Sequence, residues 1–123
     1  MVGEGRQKRL SDNVAQLAAE ILNTELKEPL PALVTVTGAT VGRDLQTARV
    51  YYTVMGDPEA TKQTVMRLRR VATFVQREIG HRLHLRITPA LTFEYDDRTE
   101  KSSEVLRLLA QLKENEGHQD GHS

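Results

Sequence analysis

Val65–Arg86, VMRLRRVATFVQREIGHRLHLR, carries two messages on one helical repeat. Val65, Leu68, Ala72, Val75, Ile79 and Leu83 recur at gaps of three and four residues, the spacing of an apolar helix face. At about 100° per residue, Arg67, Arg70, Arg77 and His81 fall on the far side, with Arg69, Arg82 and Arg86 nearby. One face suits a core, and the other offers positive charge to something outside. The phase also contains a fault. In a straight helix Phe74 falls among those cations, in water, although burying a Phe is worth roughly 1.5–3 kcal/mol and the chain has only two. Either Phe74 stacks on a ligand, or the helix breaks at Val71, Ala72 and Thr73 and turns it inward. The β-branched residues flanking Ala72 are modest helix formers. The expectation is therefore two consecutive helices with a tight bend between them.

A chain of 123 residues is long enough for one domain with its own core. Lys+Arg and Asp+Glu each total 17, giving zero net charge. The signs are nonetheless segregated. Between Lys62 and Arg86 the only acid is Glu78, whereas acids outnumber bases from Glu94 to the end. Such poles can steer an anionic partner to one side while the molecule stays soluble. The competing reading is a set of merely solvated helix charges. The absence of Cys excludes disulfides, thiol nucleophiles and thiolate metal sites. No apolar run approaches the ~20 residues of a membrane span, and the first ten residues lack the apolar centre of a signal peptide. A soluble cytoplasmic protein is expected.

Residues 1–5 read as a flexible glycine-containing lead, residues 6–113 as a single domain, and residues 114–123, without an apolar side chain, as a disordered tail. Leu10, Val14, Leu17, Ile21 and their neighbours mark an amphipathic helix starting between Gln7 and Asp12; Pro29 and Pro31 stop it. Arg6, Lys8 and Arg9 are then expected at or ahead of its N-terminus, where the helix dipole does not favour cations. Leu33–Val41 reads as a strand whose alternation changes parity at Gly38, the natural place for a bulge. A turn at Gly42–Gln46 leads to a second strand of alternating Ala48, Val50, Tyr52 and Val54, and the short connection favours an antiparallel hairpin. Pro58 suits the first turn of the next helix. Leu91, Phe93 and Tyr95 alternate in a third strand. Val105, Leu108, Leu109 and Leu112 describe a short last helix, with Thr99, Ser102 or Ser103 as N-cap.

The order helix, strand, strand, helix, helix, strand, with a short C-terminal helix, buries a core as an α+β two-layer sandwich: a three-stranded sheet with helices packed on one face. That is the plan of a KH-like domain of the second (type II) topology, an analogy of element order.

Specific residues carry a closer resemblance. They are Arg9; Glu25-Leu26-Lys27-Glu28-Pro29; Val34-Thr35-Val36-Thr37; Val41 to Tyr51, VGRDLQTARVY; and Arg86 to Asp96, RITPALTFEYD. From about Arg6 to Leu112 the chain resembles the ribosome-binding factor A family. The resemblance implies a KH-type fold and a non-catalytic assembly factor that binds the immature small (30S) subunit, and not 70S, near the decoding region and the end of its 16S rRNA. It also implies assistance to late pre-16S rRNA maturation, release when maturation is complete, importance in the cold, and possible company of other assembly factors. Two departures stand out. Glu28 replaces the family's usual Asp before Pro. Val71-Ala72-Thr73 replaces its usual Ala-x-Gly bend, and Thr73 adopts positive φ less cheaply than Gly.

For RNA, the candidate contacts are Arg67, Arg70, Arg77, Arg82 and Arg86, with Arg6, Lys8 and Arg9 as a second patch. Guanidinium groups pair bidentately with phosphate and lie flat on bases. With no Trp and few aromatics, recognition should be of shape and backbone. Arg86 has a structural alternative, a bridge to Asp96 or Asp97. The GXXG loop by which KH domains grip single strands is absent. Enzymatic readings are weaker. Adjacent strand residues such as Asp96 and Asp97 point to opposite faces, and His81 with His84 makes two ligands of a site needing more. No cofactor or metal is expected, nor any membrane contact, and the chain should act as a monomer. A protein–protein adaptor docking through the sheet edge or terminal helix, or a small metal-binding enzyme, are the alternatives.

Overall fold

The computed structural model describes residues 2–98 and 105–112, with backbone alone for 2–4. The first helix, α1 (Val2–Thr24), buries Val14, Ala18, Ile21 and Leu22 on one stripe. It begins at Val2, earlier than its apolar spacing suggested, so Arg6, Lys8 and Arg9 lie inside its first turns. Hydrogen bonds to the sheet hold this polar start. Gln7 Nε2 donates to the Val41 carbonyl at 2.6 Å, and Ser11 Oγ accepts from the Val41 N–H at 3.1 Å. No apolar periodicity announces such an anchor.

Strands β1 (Leu33–Val41) and β2 (Thr47–Met55) form the antiparallel hairpin. Val36 pairs with Tyr52 and Gly38 with Tyr51, so Thr37 is the extra residue of a bulge. The bulge lets Val34, Val36, Ala39 and Val41 all meet the core despite their change of parity. The next helix, α2 (Pro58–Arg82), is capped by Asp57, whose Oδ1 accepts from Ala60 N–H at 2.7 Å, with Pro58 in its first turn. Strand β3 (Ala90–Tyr95) then pairs with β2 in parallel, giving the sheet order β1-β2-β3. The core joins α1, α2 and one sheet face around Tyr52, which meets the rings of Phe93 and Tyr95 edge to face at 6.3 and 5.7 Å. Residues 105–112 are helical, and Val105 enters the same core. The suggested N-caps Thr99, Ser102 and Ser103, and the 114–123 tail, lie outside the described residues.

The KH-like α+β two-layer sandwich is present, with one correction to its order. The two central helices are a single helix, and α2 passes through Val71, Ala72 and Thr73 unbroken. Phe74 is half-buried all the same and packs against the core cluster, and the connection from α1 to β1 is tied to α2. Three fastenings hold that connection: Glu25 to Arg82, the carbonyls of Glu28 and Pro29 to Arg67, and Ala32 N–H to Thr64 Oγ1 at 2.9 Å. Leu26 and Leu30 of this strap pack against the same core cluster. Tertiary cover thus removes the cost that a bend would have relieved.

Candidate nucleic-acid interface

The arginines of α2 divide by what they touch. Arg67 Nη1 and Nη2 donate to the carbonyls of Pro29 and Glu28, both at 2.7 Å. Arg82 donates to Glu25 and lies 3.7 Å from Glu78 one turn earlier. The hydrogen bond to Glu25 chiefly, then the nearby carboxylates, raise the Arg82 pKa further, against the opposing effect of burial. These two guanidinium groups are engaged within the protein and tie the strap.

Arg70 and Arg77 are exposed and have no hydrogen-bond or ion-pair partner among the described residues. Seven residues apart, they differ by about 20° around the helix and point away from Val65, Leu68, Val75 and Ile79. Lys62 and His81 extend the exposed stripe on either side. Along this outer face, acid is confined to Glu59 in the first turn, where it faces the helix N-terminus favourably.

A second cationic group lies beyond the C-terminal end of α2. The last turn of α2 closes with a Schellman arrangement: Leu85 N–H donates to the Gly80 carbonyl at 3.0 Å and His84 N–H to His81 at 3.2 Å. His84, with φ of 52°, occupies the left-handed position that glycine usually fills. It has left the helix, so the pairing with His81 on one helix face does not hold. Among the described residues no group of three or more His, Cys, Asp or Glu side chains is placed to hold a metal ion. Gly80 allows the following segment to fold back closely, since a Cβ there would lie 2.2 Å from Thr88 Oγ1. This path carries Arg86 to a cleft of about 520 Å³ whose other walls include Arg6 and Arg9 of α1 and Asp44–Gln46 of the hairpin turn.

The structure therefore brings Arg6, Arg9 and Arg86 together. Lys8, on another side of α1, does not line the cleft. Among the described residues Arg86 makes no bridge to Asp96 or Asp97. Asp96 is taken by Arg98, which donates from Nε at 2.8 Å and Nη2 at 2.6 Å. Those bonds chiefly, with one from Thr37, hold the Asp96 carboxyl well below the usual carboxylate range. The hairpin-turn and loop residues of the cleft were not legible as site residues, because three segments distant in the chain meet there only in the folded structure.

What the fold and this surface define is a KH-like α+β domain with a cationic flank on its second helix. Comparison with known proteins gives the family. Residues 6–109 match the model of "Ribosome-binding factor A". The chain is 37% identical over 118 residues to ribosome-binding factor A of Desulfitobacterium hafniense (strain DSM 10664 / DCB-2), covering 96% of this chain and 94% of that one. It is 39% identical over 104 residues to the Thioalkalivibrio sulfidiphilus protein, covering 85% and 81%. Among solved structures, the crystal structure of ribosome-binding factor A from Thermus thermophilus matches with TM-score 0.61 at 21% identity, over 72% of this chain and 94% of that one. Thermotoga maritima TM0855 matches with TM-score 0.60 at 30% identity, over 79% and 92%. Thermus thermophilus coordinates fitted into a cryo-EM map of a 30S–RbfA complex match with TM-score 0.61 at 21% identity, over 75% and 97%. The chain belongs to the ribosome-binding factor A family.

Proposed function

We propose that this chain is a cytoplasmic, monomeric maturation factor that binds the immature small ribosomal subunit through its 16S rRNA and assists late pre-16S processing without catalysing a reaction. Its family, and the 30S complex of the Thermus thermophilus relative, support the reading. The structural observation that carries it is the exposed pair Arg70 and Arg77, unpartnered among the described residues and aligned along the outer face of α2. A folded RNA helix presents phosphates in rows, and a straight cationic helix face can meet such a row without reading bases. The unbroken α2 fits that geometry. If about 4–6 phosphates are engaged, log affinity falls against log salt with slope about −3 to −5.

Charge reversal tests the reading. Arg70→Glu/Arg77→Glu should abolish cosedimentation with free small subunits while leaving the thermal melt unchanged. Cosedimentation equal to wild type would refute it. A protein adaptor would instead bind a purified protein partner with little salt dependence.

A further inference from the structure

Beyond the α2 stripe, we infer that the cleft of Arg6, Arg9 and Arg86 is a pocket for one unpaired nucleotide of an RNA strand. The inference rests on the RNA-binding reading above and assigns a separate site to it. At about 520 Å³ the cleft falls within the size range of small-ligand sites. Its chemistry has two halves. Three guanidinium groups line it, from two successive turns of α1 and from the α2–β3 connection, and all three side chains are exposed. None has a hydrogen-bond or ion-pair partner among the described residues. Convergent, unneutralised guanidinium groups suit a phosphate. Leu10, Leu45, Leu83 and Leu85 supply an apolar floor. Ile87 leaves 71% of its surface in water at the same cleft, a large apolar side chain placed where a base can cover it.

The hairpin turn completes the cleft. Leu45, in the left-handed conformation at the end of that turn (φ 60°), lines its wall. Asp44 also lines the cleft. One of its oxygens accepts from Gln46 N–H at 3.0 Å, which leaves the carboxylate further capacity to accept. A carboxylate opposes a phosphate but accepts from an exocyclic amino group. Cytosine, adenine and guanine carry one; uracil does not. The pocket should therefore place the phosphate toward the arginines and the base toward Leu45, Ile87 and Asp44, with uridine disfavoured.

The test uses the full chain and fluorescently labelled hexaribonucleotides, oligo(C) and oligo(U), beside free CMP. Oligo(C) should bind at least tenfold more tightly than oligo(U) and than CMP. Arg9→Glu/Arg86→Glu should lower oligo(C) affinity at least tenfold, and Ile87→Ser at least threefold; all three residues are exposed, so thermal melts should match wild type. Asp44→Asn should narrow the oligo(C) to oligo(U) ratio. Equal binding of oligo(C) by wild type and the double arginine variant, or CMP binding as tight as oligo(C), would overturn the inference. If that failure accompanies small-subunit binding that still depends on Arg70 and Arg77, the pocket is refuted and the broader function stands. Loss of that dependence would refute the function itself.

Discussion

Gly80 and His84 show how single backbone positions set the approach to the cleft. A Cβ at Gly80 would lie 2.2 Å from Thr88 Oγ1 and 3.0 Å from its Cγ2. Gly80→Ala should therefore cost about 1–3 kcal/mol, as overpacking does, and Thr88→Ala in the same chain should restore much of the loss; urea melts measure both. At His84 the sign reverses. The left-handed conformation costs a non-glycine residue about 1–2 kcal/mol, and the freedom glycine adds to the unfolded chain takes back about 0.4–1. His84→Gly should raise stability by about 0.5–1 kcal/mol on the same measurement. Asp96 adds a pH dependence. Hydrogen bonds from Arg98, then Thr37, lower its folded-state pKa. Its contribution is fully present above the ordinary carboxylate pKa and is lost as pH falls through that value toward the lower folded one. Asp96→Asn should flatten this acid limb in melts from neutral pH downward. At this scale the helix start was legible, because Pro58 is a residue type that a first turn selects. The helix end was not, because a histidine stands where glycine is the usual signal.

Among elements, the bulge in β1 and the continuity of α2 make an instructive pair. The parity change at Gly38 could be read because one buried sheet face forces every inward residue into register, and only an extra residue reconciles Val36 with Ala39. The expected break at Val71-Ala72-Thr73 rested on local preferences of a few tenths of a kcal/mol. Tertiary packing, which leaves Phe74 half-buried against the core, outweighs them. Sequence spacing placed Arg67 and Arg70 in one cationic set, yet they belong to different structures. Arg67→Ala should cost about 1–2 kcal/mol of stability through two lost hydrogen bonds, with little change in small-subunit binding. Arg70→Ala should leave the melt unchanged and weaken binding. Paired melting and cosedimentation of the two variants separate strap from interface, and equal effects in both assays would contradict the division. The Arg82–Glu25 bridge is about 30% exposed on each side, so Glu25→Gln should lower the melting temperature only slightly, and less in high salt.

Across the whole molecule, zero net charge conceals a division of labour. Among the described residues, Arg70 and Arg77 on α2 and Arg6, Arg9 and Arg86 at the cleft are exposed, while Arg67, Arg82 and Arg98 are engaged in internal ties. The clustering of bases between Lys62 and Arg86 was visible in the sequence; which of them face outward was not, since partners such as Glu25 and the Pro29 carbonyl are distant in the chain. Family membership agrees with the fold class. The central claim, that exposed guanidinium groups on α2 meet ribosomal phosphate, is tested most directly by quantitative cosedimentation of wild type and Arg70→Glu/Arg77→Glu with free small subunits across a salt series. The account predicts a wild-type slope of about −3 to −5 in log affinity against log salt and no measurable binding by the variant. A shallow slope, with the variant bound as tightly as wild type, would contradict it.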